Sequence, residues 1–167
     1  MDNANRLKIR LGTDASDIER WAPIFEECHR NSRFADYPYD MEKTVRSAQH
    51  CCADADFNGW LIAELDGEPV GFVFCMIGEL TFAKNVLSTT VVTFYIRPQF
   101  KTSLIGGKAA LSLIRGLIKW SKLRNAKEIF VYDTSEIDTK GTARFFQRLG
   151  FKYIGANFAL PLSNTTP

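Results

Sequence analysis

VVTFYIRPQFKTSLIGGKAALSLI, residues Val91–Ile114, changes its hydrophobic period part-way along. Val91–Ile96 is β-branched and aromatic, the composition of a strand. Arg97-Pro98 ends it, because proline has no N–H to give to a sheet ladder. Gln99–Ser103 reads as a short polar loop. From Ile105 onward the apolar residues recur at helical spacing, at Ile105, Ala109, Leu113 and Leu117, with Ala110, Ile114 and Ile118 beside them. The order is therefore strand, small-residue loop, helix start. A helix start exposes unpaired backbone N–H groups and the positive end of a dipole. Gly106 and Gly107 leave room there for a phosphate, and Lys101 and Lys108 add charge. That is an anion cradle, although a strand–loop–helix junction with lysines also serves many α/β proteins without binding anything.

Upstream, Lys8–Leu11 alternates charged and apolar side chains, as a first strand does. Gly12-Thr13-Asp14 breaks it, and Thr13 or Asp14 can cap a helix. Ile18, Trp21, Ile24, Phe25 and Cys28 then share one helical face. Ser32–Tyr39 is a loop with three aromatic residues, and Asp40 suits the N-cap of a second helix over Met41–Cys52. Two strands, Trp60–Glu64 and Val70–Ile77, flank Asp66-Gly67, the residue types of a positive-φ hairpin turn. Gly78–Leu87 reads as a loop and Ser88–Ile96 as the central strand.

Downstream, the long helix ends near Leu123. Glu128–Tyr132 is a short apolar strand, Thr139–Leu149 a helix, and Gly150 its stop. Phe151–Ile154 and Asn157–Leu160 suit a last pair of strands, and residues 163–167 a frayed tail. A strand–helix–strand unit over Val91–Tyr132 calls for a parallel crossover.

The chain has 167 residues, 46% of them hydrophobic and 24% charged, which fits one soluble domain, residues 1–167, around one core. A net charge of +2 is too small to argue for nucleic acid, which is not expected as a partner. Met1–Arg10 has no apolar core of a signal peptide, and no apolar run approaches the roughly 20 residues of a bilayer span. Cys28, Cys51, Cys52 and Cys75, with His29 and His50, form no zinc spacing. No metal is expected; free thiols and a cytoplasmic location are, with a nucleophilic cysteine the lesser alternative to small buried apolar residues.

Tyr95-Ile96-Arg97-Pro98, the basic loop and Gly106 at the head of a long helix resemble motif A of the GNAT superfamily of N-acetyltransferases. Ala143-Arg144-Phe145-Phe146-Gln147-Arg148-Leu149-Gly150-Phe151 resembles that family's closing helix and its Leu-Gly-Phe step. The family loop reads Arg/Gln-x-x-Gly-x-Gly/Ala. Here Lys101 stands at its first position, Leu104 at the first glycine and Gly106 at the second. The resemblance implies an α/β fold with a splayed mixed β-sheet of six to seven strands, flanked by about four helices. It implies acetyl-CoA as co-substrate and transfer of its acetyl group to a primary amine, on a small molecule or a protein. A homodimer is compatible with it. So is a degenerate family member that binds CoA or a protein partner without turnover.

By position, the resemblance puts cofactor contacts on Phe94, Tyr95 and Ile96 and on Lys101, Thr102, Ser103, Leu104, Ile105, Gly106, Gly107 and Lys108. Backbone N–H groups of Phe94–Ile96 would polarise the thioester carbonyl. The two helices after the first strand would cover the acceptor, making Phe34, Tyr37 and Tyr39 candidate walls, or else loop packing. Relatives often carry, at the position of Phe146, a tyrosine that protonates the leaving thiolate; here it has no proton to give. Tyr132 and Ser135 are the nearest substitutes, and Glu79 or Asp133 the nearest candidate base. Each has a plainer reading as a packed or solvated residue.

Overall fold

The computed structural model describes residues 7–132 and 139–155. In chain order the elements are β1 (Leu7–Leu11), α1 (Ala15–Arg30), α2 (Met41–Ala53), β2 (Asn58–Leu65) and β3 (Glu68–Glu79). Then come β4 (Leu87–Ile96), the single turn α3 (Pro98–Lys101), α4 (Leu104–Leu123), β5 (Glu128–Val131) and α5 (Thr139–Arg148). One sheet runs β1-β2-β3-β4-β5. The first four strands pair antiparallel and β5 joins β4 in parallel. A parallel neighbour needs a long connection, and α4 supplies it. The fold is thus the expected mixed α/β sheet with four long helices. The expected six to seven strands become five among the described residues. Phe151–Ile154 is irregular chain instead of a strand, and Asn157–Leu160 and the tail from residue 163 lie outside the described residues.

The sheet is buried on both faces, which is why β2 reads Trp-Leu-Ile-Ala without a polar break. Leu61, Val73, Cys75 and Val91 meet Leu113, Leu117 and Trp120 of α4 and Phe146 of α5 on one side. On the other, Trp60, Ile62, Phe72 and Tyr95 meet Trp21 and Phe25 of α1 and Ala48 of α2. The turn between β2 and β3 has Asp66 at φ 50° and Gly67 at φ 90°, the two positive values its sequence implies.

Arg10 holds α1 to the sheet. It donates to Asp17 Oδ2 at 2.6 Å and to Glu64 Oε2 at 3.0 Å, while Arg20 reaches Glu64 at 2.9 Å. The hydrogen bond from Arg10 keeps the buried Asp17 carboxyl below the usual carboxylate range, against the opposing effect of burial. A depressed folded-state pKa stabilises above the unfolded value, about 3.9, and that contribution disappears as pH falls through the folded value. Urea midpoints should therefore drop below about pH 4, more steeply in wild type than in Asp17→Asn. Parallel acid-side slopes in the two proteins would contradict this role for Asp17.

Two irregularities in β4 open its carboxyl end. Phe74 pairs with Thr93 but Cys75 pairs with Val91, so Val92 is an extra, bulged residue. The ladder to β5 covers only Ser88–Val91 of β4 against Glu128–Val131. Beyond the bulge, β4 has β3 on one side and no β5 on the other. The sheet forks there.

Candidate functional site

The loop after β4 is more ordered than its polar sequence suggests. Pro98 starts α3, a first-turn position proline suits. Ser103 then caps α4: its Oγ accepts from the Gly106 N–H at 3.1 Å and its carbonyl from Gly107 N–H at 3.1 Å. The same hydroxyl donates to the Phe100 carbonyl at 2.7 Å, which fixes α3 against α4. The N–H groups of Leu104 and Ile105 precede the first intrahelical bond, and such groups are free for a ligand. A groove of about 370 Å³ opens here, lined by Thr102, Ser103, Leu104, Gly107, Lys108 and Leu111. Thr102 and Lys108 are exposed in it, Lys101 is exposed in the turn before it, and Leu104 is 85% exposed where the family pattern has glycine.

The two glycines divide the work. A Cβ on Gly106 would stand 2.0 Å from the Phe100 carbonyl oxygen and 3.3 Å from Lys101 N, so Gly106 is spent on the contact between α3 and α4. A Cβ on Gly107 would meet nothing within 4 Å, so Gly107 is the open floor of the groove. Gly106→Ala should cost about 1–3 kcal/mol, as an overpacked contact against unyielding backbone. Gly107→Ala should gain up to about 1 kcal/mol from helix propensity. Equal melting temperatures for the two variants would contradict the assignment.

At the fork, backbone alternation sorts the donors of β4. Arg97 N–H bonds to the Val70 carbonyl of β3 at 2.9 Å. Tyr95, two residues earlier, therefore also points its N–H toward β3, and Phe94 and Ile96 point theirs to the edge that β5 has left. Of the three expected backbone donors, Phe94 and Ile96 are the ones so directed. On the α4 face, the Phe94 ring stacks on Phe145 at 6.0 Å and meets Phe146 at 5.8 Å, with Phe151 5.1 Å from Phe146. Phe146, 7% exposed, is an apolar wall beneath the fork.

The opposite face carries the polar chemistry. The bulge brings Val92 and Thr93 onto the α1–α2 side, since Thr93 lies opposite Phe74. Phe130 shares that side through its register with Thr90, and Tyr132 stacks on Phe130 at 6.4 Å. Tyr132 directly follows the last residue of the β5 ladder and is 52% exposed. Nearer the end of β4, Tyr95 donates to Glu27 Oε1 at 2.9 Å and accepts from Asn31 Nδ2 at 3.3 Å. Arg97 grips the same carboxylate, with Nη2 3.0 Å from Oε2, and also reaches the Pro69 carbonyl at 3.2 Å. Burial, with Glu27 beside it, pushes the Tyr95 phenol well above its ordinary range, so this hydroxyl is a positional bond and not a proton source at neutral pH. The network pins the end of α1, and the loop after it, to the carboxyl end of β4.

That loop, Ser32–Tyr39, is a run of turns, with Ala35 N–H bonded to Ser32 and Tyr37 N–H to Phe34. Arg33 lies 4.8 Å over the Phe34 ring, and Tyr39 packs 5.2 Å from His29. Tyr37 is 63% exposed. The structure thus ties Tyr39 back to α1 and leaves Tyr37 as the projecting ring. A larger groove of about 520 Å³ lies between α1 and α2, lined by Ile18, Ala22, Val45 and Cys52 among others, away from the fork.

Glu79 does not join the site. It belongs to β3, not to a loop, and pairs with Leu87 at the amino end of β4, five residues before the bulge. That is roughly 16 Å along a strand, and Glu79 shares the α4 face with Ile77. Asp133 and Ser135 lie outside the described residues. Burial pushes the Cys28 and Cys75 thiols up to about 12 and Cys51 up to about 11, so these are inert at neutral pH. Among the described residues no cluster of His, Cys, Asp and Glu could hold a metal ion. No described helix is long and apolar enough to cross a membrane. Glu27 and Arg97 were not among the expected site residues; Ser103 was, and it caps α4, as a serine directly before an apolar helix can.

Residues 18–151 match the acetyltransferase (GNAT) family. The chain belongs to the GNAT family. A Methanocaldococcus jannaschii protein described as an uncharacterized N-acetyltransferase is 24% identical over 136 residues, 81% of this chain and 57% of its own length. The chain thus spans little more than half of that relative. An uncharacterized N-acetyltransferase of Archaeoglobus fulgidus is 26% identical over 121 residues, 72% of this chain and 78% of its own. The GNAT fold recurs in the aminoglycoside N-acetyltransferase AAC(6')-Iy, solved with CoA and with a CoA-based bisubstrate analogue. The analogue complex superposes with TM-score 0.71 at 18% identity, covering 95% of this chain and 99% of that one. A ribosomal-protein-alanine N-acetyltransferase of Brucella melitensis gives TM-score 0.67 at 16% identity, covering 95% and 100%. Identities this low speak for a shared fold and leave the acceptor open.

Proposed function

We propose that this GNAT protein transfers the acetyl group of acetyl-CoA to a primary amine by direct attack in a ternary complex. The observation that carries this reading is the edge of β4 beyond Val92, unpartnered among the described residues, running into the open groove at the head of α4. The groove suits a pyrophosphate: backbone N–H groups at a helix start, the vacant Cα of Gly107, and Lys108, with Lys101 next to the lining residue Thr102 in the chain. The β4 edge suits an extended amide chain, which would pair with Phe94 and Ile96 as a strand does. Such a chain brings its thioester to the bulge.

There the neutral amine attacks the thioester carbon, the C–S bond breaks, and CoA leaves as a thiolate. Backbone N–H groups at the fork stabilise the developing oxyanion. Tyr132 gives the thiolate its proton, and the amine proton passes to solvent. Phe146 supplies shape to the channel and no proton. The aromatic loop, with Tyr37 outermost, walls the acceptor side. The test is release of free CoA thiol from acetyl-CoA in the presence of a panel of amines, including small polyamines, lysine peptides and free peptide N-termini. Amine-dependent thiol release supports the reading. Binding of acetyl-CoA with no transfer to any of them favours a CoA-binding protein without turnover.

A further inference from the structure

The net charge of +2 hides a separation. Residues 1–96 carry nine Lys and Arg against fifteen Asp and Glu, and residues 97–167 carry twelve against four. From Arg97 to Lys127 there are eight cations and no acid. Helix α4 occupies most of that span. It buries Ala109, Leu113, Leu117 and Trp120, and exposes Lys108, Arg115, Lys119 and Lys122 on the other side. Positions 108, 115 and 122 recur every seven residues, and 119 lies four beyond 115, so the four share one stripe.

None of the four bonds to a carboxylate among the described residues, whereas Arg97 and Arg124 are paired with Glu27 and Asp56. Like charges four apart destabilise a helix, so the Arg115–Lys119 spacing works against α4. Arg144 and Arg148, exposed on α5, lie on the same side of the sheet, because α5 packs into the same core through Phe146. The stripe also outruns the cofactor groove. Only Lys108 borders that groove, and Lys122 stands about 21 Å further along the helix.

We propose that the outer face of α4 is a docking surface for the phosphodiester backbone of nucleic acid. Protein interfaces are depleted in lysine and centre on aromatic and apolar anchors. This stripe has no such centre; the exposed leucines, Leu104 and Leu123, stand at the two ends of the helix. Phosphates need only spaced point charges, and the released counterions supply the driving force. The surface therefore reads no sequence. Overall net charge argued against nucleic acid only because the acidic α1–α2 half cancels this one.

The test is fluorescence anisotropy with about 20-residue probes, a single-stranded RNA and a duplex DNA, between about 50 and about 200 mM salt. Wild type should bind with Kd of about 1–100 µM at physiological salt and weaken steeply as salt rises. Arg115→Gln/Lys119→Gln/Lys122→Gln should bind at least about tenfold more weakly, and its log–log salt slope on RNA should be smaller by about 2. Its melting temperature and its stabilisation by acetyl-CoA should match wild type, which separates this surface from the cofactor site. The proposal is overturned by an unchanged affinity and slope in the triple variant, or by displacement of the probe with acetyl-CoA. Equal or tighter binding of poly-glutamate, or of phosphatidylserine vesicles, also overturns it, in favour of an acidic protein or a membrane surface.

Discussion

Tyr132→Phe is expected to lower kcat by about 10²-fold or more, the usual contribution of a positioned general acid. It should leave the melting temperature and the affinity for acetyl-CoA as they are. The ring stacks on Phe130 and is half exposed, so loss of its hydroxyl removes no buried partner. Its place is what makes it the proposed donor. It follows Val131, the last residue paired with β4, on the same face as the bulged Val92. Tyr95 is the competing phenol, but its proton is held by Glu27. Tyr95→Phe should accordingly alter stability more than kcat. An unchanged kcat in Tyr132→Phe removes it from the mechanism and leaves water as the source of the proton.

Phe146→Ala is expected to cost about 3–5 kcal/mol, as deletion of a buried ring from a packed cluster does. For a chain of this length that is a fall of roughly 10 °C in melting temperature. Phe94, Phe145 and Phe151 all lose an edge-to-face contact with it. Phe94 is also where β4 turns a backbone donor to the open edge, so the cavity sits under the proposed cofactor channel. Phe146→Leu keeps most of the volume and should retain most of the stability. A fall in kcat in Phe146→Leu, with acetyl-CoA binding intact, would show that the ring shapes the thioester end. Urea denaturation with near-wild-type stability for Phe146→Ala would contradict its burial.

Local signals were legible in the chain and long-range ones were not. The hairpin at Asp66-Gly67, the caps at Asp14 and Asp40 and the stop at Gly150 each follow from residue types within a few positions, and all lie where those residues put them. The strand–loop–helix core of the site was legible for the same reason. In the sequence Gly106 reads as a ligand contact because α3 is hidden in a polar run; Pro98 is its signal, and the close approach of Phe100 follows from that turn. Glu79 reads as loop because Gly78 resembles a break, whereas β3 continues through it to Glu79. The Glu27–Arg97 pair spans 70 residues, and no periodicity announces a contact that only the docking of α1 on β4 creates. The fork is invisible for a related reason: it is set by where a ladder ends and by one unpaired residue, Val92.

Acetyl-CoA is proposed to bind at the head of α4, and isothermal titration of acetyl-CoA into wild type and Gly107→Glu tests this most directly. Gly107 faces open space, so the variant should fold with a melting temperature near that of wild type, while its carboxylate occupies the groove and repels the phosphates. Wild type should bind and, at about 100 times Kd, gain about 2.7 kcal/mol of stability; Gly107→Glu should show no measurable heat of binding. Equal affinity in the two proteins would place the cofactor elsewhere and contradict the account.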